Sequence, residues 1–159
     1  MTNELQILIE SLKKKIGIMD NILLASKEQE KLANSTEFDS ERFDELFDQK
    51  DVLLKEMGEL DQGFDATFSR IRDELLDNKK NYKDEILQLQ QLIRATVDRG
   101  AEISATETRT KDSLSNVMKR QKQDLAKRKV SSKTVMDYYK TSSQLNHVEP
   151  FFMDQKSKI

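Results

Sequence analysis

Near the amino terminus, Leu5, Ile9, Leu12, Ile16, Met19 and Leu23 follow one another at alternating steps of four and three. That spacing keeps one stripe of a helix apolar and defines a heptad seam. The seam continues weakly through Ser26 and Ala33. Leu8 and Ile22 widen the stripe, as a helix facing two neighbours requires. Gly17 costs about 1 kcal/mol relative to alanine, too little to stop a helix with this pattern. Asn34-Ser35-Thr36 is the first cluster of turn formers. The pattern therefore predicts a first helix over about residues 3–33, roughly 45 Å long at 1.5 Å per residue.

A second helix is predicted over about residues 38–76, starting near Thr36 or Ser40, whose hydroxyls can accept from free backbone amides. Glu37, Asp39 and Glu41 suit the positive end of its dipole. Phe43, Leu46, Leu53, Met57, Leu60 and Phe64 mark its seam, and Lys50 falls inside it, predicting a side chain that snorkels or lies at the bundle edge. After Gly63 the stripe passes to Phe68, Ile71 and Leu75, which reads as a helix either bent or split near Gly63.

Asn81, followed by Asp84 and Glu85, is the expected cap of a third helix over about residues 80–128. Tyr82, Ile86, Leu89, Ile93, Val97 and Ile103 share one face. From Ser104 to Lys111 the core positions become Thr, Ala and Glu, so the distal third is expected to pack poorly before Leu114, Val117 or Met118, and Leu125. Short turns make consecutive helices antiparallel neighbours. The expected fold is thus all-α: long antiparallel helices forming a three-helix bundle or coiled coil over residues 1–129, with a less regular carboxy-terminal tail over 130–159. No segment repeats at a fixed period, which excludes a solenoid.

Composition supports the helical reading. The 159 residues include one Pro, four Gly and no Trp, and 35% are charged, which disfavours closely spaced strands and turns. No Cys is present, removing disulfides, thiol catalysis and thiolate metal sites together. No apolar run approaches the roughly 18–20 residues that span a bilayer, and Met1-Thr2-Asn3-Glu4 leads into no secretion signal. A cytoplasmic location is expected.

Charge is uneven. Acids dominate from Asn34 to Asp77, whereas Lys119, Arg120, Lys122, Lys127, Arg128, Lys129 and Lys133 face only Asp124. Complementary charges flanking helix seams are the simplest account. A nucleic-acid-binding helix hairpin is the sharper alternative, but the basic stretch has no interleaved aromatics and the chain is slightly acidic.

Candidate chemistry is sparse. His147 stands alone, with no second His or any Cys to make a metal site or a nucleophile–base pair. Exposed carboxylates at helical spacing read as solvated charge. Asp61, Gly63 and Asp65 superficially suggest a calcium loop, but they lie within helical periodicity and no bidentate Glu follows at the right distance. The expectation is no enzyme, no cofactor, no metal and no small-molecule substrate.

Beyond Val130 the polar stretch carries Val135, Met136, Tyr138, Tyr139, Leu145, Phe151 and Phe152. A merely solvating tail is poor in such residues. They are the candidate partner-binding positions, because tyrosine and phenylalanine bury large area at low entropic cost. Tyr138 and Tyr139 read equally well as a last amphipathic turn packing back on the bundle.

The order of helices, together with local phrases, resembles the FlgN-type flagellar export chaperones of the clostridial type. The phrases are Phe43-Asp44-Glu45-Leu46 with Lys50 and Leu53-Leu54, Leu60-Asp61-Gln62-Gly63-Phe64, and Leu89-Gln90-Gln91-Leu92-Ile93. The ending is more distinctive: Ser131-Ser132-Lys133, Tyr138-Tyr139-Lys140, and Pro150-Phe151-Phe152-Met153-Asp154-Gln155-Lys156. The resemblance implies a cytoplasmic chaperone of flagellar type III export. Its cargo would be hook–filament junction proteins, delivered to the export gate at the membrane. In the family the carboxy-terminal segment takes part in both contacts, and Tyr138 or Tyr139 would match a tyrosine that matters for the gate. A monomer or weak homo-oligomer is expected. A self-associating structural coiled coil without chaperone activity is the competing reading.

Overall fold

The computed structural model of the protein describes residues 1–123. They form three helices, α1 (Thr2–Ala33), α2 (Ser40–Asp77) and α3 (Lys83–Gln123), and no strand occurs among the described residues. The expected all-α bundle is what the chain adopts. The tail 130–159 and the predicted continuation of α3 to Arg128, with Leu125, lie outside the described residues.

Direction and register follow from the side chains that meet. Lys15 pairs with Asp61, while Ser26, further along α1, meets Lys50, earlier in α2; α1 and α2 are therefore antiparallel. Asp20 meets Arg99, Glu30 meets Arg109 and Asn34 meets Ser113, each pair 79 positions apart, so α1 and α3 run parallel in a constant register. Helix α1 packs against both others, whose backbones approach each other least.

Two faces of contact bury most of the predicted stripe of α1, including the widening Leu8 and Ile22, and shift its centre slightly. Its inward row is Leu5, Leu8, Leu12, Lys15, Met19, Ile22, Ser26, Gln29 and Ala33, with Ile9 and Ala25 beside it. Ile16 and Leu23, expected in the seam, are only partly buried. The rows through Ile9 and Leu8 are both apolar, and spacing alone does not say which points between two neighbours.

Helix α2 is continuous through Gly63, neither split there nor rotated. Its inward row runs Phe43, Phe47, Lys50, Leu54, Met57, Asp61, Phe64, Phe68, Ile71 and Leu75 at unbroken steps of four and three. Leu53 and Leu60, predicted in the seam, lie at its edge; Leu54 and Asp61 take those places. The apparent rotation at Gly63 arose from reading Leu60 as core in place of a carboxylate. Asp39, not Thr36 or Ser40, caps the helix: its carboxylate accepts from the backbone N–H of Arg42 at 3.1 Å. Ser35 supports the preceding turn, donating to the carbonyl of Glu37 at 2.6 Å.

Helix α3 begins one residue later than an Asn81 cap requires, with the Tyr82 carbonyl accepting from Ile86 N–H. Its row continues Ile86, Leu89, Ile93, Thr96, Gly100, Ile103, Glu107, Thr110, Leu114 and Val117. Val97, predicted inside, is 50% exposed, and Met118 is also exposed. Leu114 and Val117 are buried where the pattern resumes, and in the stretch before them the buried positions are the polar Thr106, Glu107 and Thr110. Thr96, Thr106 and Thr110 are buried at little cost because each hydroxyl donates to a carbonyl of its own helix.

Three apolar clusters fill the interior. At one end Leu5, Leu8, Ile9 and Leu12 pack with Phe64, Phe68, Ile71, Leu75, Ile86, Leu89 and Ile93. Met19, Ile22, Leu54, Met57 and Ile103 form the middle. Ala33, Phe43, Phe47 and Leu114 close the far end, where the Phe43 ring sits 5.2 Å from both Phe38 and Phe47. Each large side chain taken from water contributes about 1.5–3 kcal/mol, and helices of this length persist only through such packing.

Candidate protein-binding surface

Between the clusters lie two polar layers. The lower is an ion pair, Lys15 Nζ to Asp61 Oδ1 at 2.8 Å, with both side chains largely buried. The upper centres on Lys50, for which the sequence predicts a snorkelling side chain or a place at the bundle edge. It is fully buried instead, and its ammonium donates to Glu107 Oε1, to Gln29 Oε1 at 2.6 Å and to Ser26 Oγ at 3.3 Å. Three donors meet three acceptors, which is the full capacity of an ammonium. Ser26 donates to Glu107 at 2.9 Å, and the Gln29 amide donates to the Phe43 carbonyl at 3.1 Å, so the layer joins all three helices. The Phe47 ring lies 5.0 Å from Lys50 Nζ and adds a cation–π contact.

Such a network is chemically suggestive, yet the Lys50 side chain is 1% exposed. A group sealed from solvent cannot meet a substrate, so the layer is structural. Among the described residues no group of three or more His, Cys, Asp or Glu side chains is placed to hold a metal ion. Asp61 and Asp65 lie within α2, not in a loop. No described helix is long and apolar enough to cross a membrane.

What the surface offers is apolar. Leu24 is 67% exposed, Val52 59% and Ile7 54%. Leu24 and Val52 flank a shallow groove of about 540 Å³ between α1 and α2, floored by Ala25, Leu46 and Leu53 and closed at one end by Glu28 and Arg42. Glu28 and Arg42 are paired at 2.7 Å, and that carboxylate, with Glu45, holds the guanidinium above its ordinary pKa. Ile7, Glu10 and Lys14 line a second groove of about 610 Å³ against Leu60. Ile7, Glu10, Lys14, Asn21, Leu24 and Glu28 continue a single heptad row, so both grooves follow one face of α1.

No protein-family model, no curated protein and no solved structure matches this chain.

The partner-binding positions chosen from sequence, Val135, Met136, Tyr138, Tyr139, Leu145, Phe151 and Phe152, lie outside the described residues, as does His147. Of the basic stretch, Lys119, Arg120 and Lys122 are exposed at the end of α3. Ion pairs between helices among the described residues include Asp20–Arg99, Glu30–Arg109, Glu28–Arg42, Lys15–Asp61 and Lys50–Glu107. Sequence reading missed the Leu24–Val52 groove. Its signal was present: Ile7-Leu8-Ile9, Leu23-Leu24 and Val52-Leu53-Leu54 each hold more apolar residues than one seam can bury.

Proposed function

We propose that this protein is a cytoplasmic chaperone of flagellar type III export. In this reading it binds hook–filament junction subunits, shields them, and delivers them to the export gate at the membrane. It acts by binding and catalyses no reaction. The observation that carries the proposal is the ending of the chain, with Tyr138-Tyr139-Lys140 and Pro150-Phe151-Phe152 following a long helical scaffold. The exposed Leu24 of α1 and Val52 of α2 add an apolar surface that a partner's amphipathic helix would cover.

The test is calorimetry of junction subunits with the full chain and with a chain ending at Lys129. The full chain should bind, and the shortened chain should lose at least about tenfold in affinity, the value of roughly one buried aromatic anchor. Equal affinity of the two chains removes the tail from the binding site. Absence of binding by both removes the chaperone reading altogether.

A self-associating coiled coil is the second reading, favoured by the same exposed groove, which a second copy would also cover. Light scattering separates the two: a stable elongated oligomer without affinity for flagellar subunits supports the scaffold.

A further inference from the structure

The two polar layers lie at matched levels of α1 and α2, and the upper one extends to α3. Lys15 of α1 stands opposite Asp61 of α2, and eleven positions further along α1 Ser26 stands opposite Lys50, eleven positions earlier in α2. On the parallel side, Glu107 of α3 meets that same Ser26. Everything else in the inward rows is apolar, small or a threonine bonded to its own helix, and repeats at the same heptad spacing.

An inward row of this kind has a defect. Sliding one helix past another by seven residues, about 10 Å, exchanges one apolar level for the next and leaves the seam apolar. The charged layers forbid that exchange. A one-heptad slide of α2 along α1 sets Lys50 against Met19 or Ala33, and Asp61 against Leu8 or Ile22. The same slide of α3 sets Glu107 against Met19 or Ala33. Each of those levels is apolar and buried to at least 98%. An unpaired ion there is strongly disfavoured, whereas the native register gives the Lys50 ammonium all three of its acceptors.

From this we infer that the Lys15–Asp61 and Lys50–Glu107 layers are a register lock: they select one alignment of three otherwise slidable helices. A buried ion pair is a poor source of net stability compared with apolar residues of similar size. Its yield is the exclusion of neighbouring registers, as a buried polar residue does in a coiled coil.

The experiment reads register directly. The chain has no cysteine, so Lys31→Cys and Asp73→Cys introduce the only thiols. Both positions are exposed and lie near opposite ends of the α1–α2 pair. Nitroxides there report the alignment by double electron–electron resonance. The full chain should give one distance. With both layers made apolar (Lys15→Met, Asp61→Leu, Gln29→Leu, Lys50→Met and Glu107→Met), helicity and melting temperature should be kept or raised. The distance distribution should then split into populations about 10 Å apart. Restoring either layer alone should return the single distance. A stable, helical variant without layers that keeps the single native distance overturns the lock. Loss of helicity in that variant overturns it too, because the layers would then supply stability and not register.

Discussion

Lys50 of α2 and Glu107 of α3 meet inside the bundle across 57 positions of sequence, joined to α1 through Ser26 and Gln29. Lys50 has no acid three or four positions away, and Glu107 has only the exposed Lys111 there, so local charge does not explain their burial. Their pairing is a product of the fold, and it makes the two residues unequal in their tolerance to change.

Removing one member exposes that inequality. Lys50→Met leaves the Glu107 carboxylate inside the bundle with only the Ser26 hydroxyl, and about 3 kcal/mol of stability should be lost. Urea unfolding followed by circular dichroism measures it. The pair replaced together, as Lys50→Met with Glu107→Met, should recover most of that loss.

Thr96 and Val97 invert the ordinary hydrophobic ranking. Val97→Asp, at a half-exposed position, should change stability by no more than about 0.5 kcal/mol. Ile93→Ala, one turn earlier and buried, should cost about 2–4 kcal/mol. Equal effects in denaturant titrations would show that α3 is rotated from the orientation described.

The cap of α2 gives a sharper local test. Asp39→Ala should cost about 1 kcal/mol because the Arg42 N–H loses its acceptor, while Thr36→Ala should be close to neutral. Thermal melts of the two variants separate the residue the structure assigns from one the sequence also offered.

Gly17, Gly58 and Gly63 all lie within helices, and a Cβ added at any of them meets no atom within 4 Å. None has a left-handed backbone. Each Gly→Ala substitution should therefore stabilise the bundle by about 0.5–1 kcal/mol, seen as a higher melting temperature. Gly63→Ala is the most informative, since a true break in α2 there would make it destabilising.

The number of helices, their approximate limits and their all-α packing were legible in the sequence because a heptad pattern is local: each step of three or four is set by helix geometry alone. Rotation of each helix was less legible. In α1 and α2, neighbouring apolar rows compete, as Leu53 does with Leu54 and Leu23 with Ile22, and only the position of a neighbour decides which turns inward. The candidate surface followed the same division. Apolar residues surplus to one seam were visible in the chain, whereas the groove they line exists only once α1 and α2 lie side by side.

By itself, then, the sequence determined the helices and the wide apolar stripe of α1 that accepts two partners. The tertiary structure alone decided what became of the charges within those rows. A lysine in a heptad position reads as a snorkelling side chain, because water is the best partner available to it along its own helix. Lys50 is buried because two other helices bring a carboxylate, an amide oxygen and a hydroxyl to one point, and desolvation is offset only when all three arrive together.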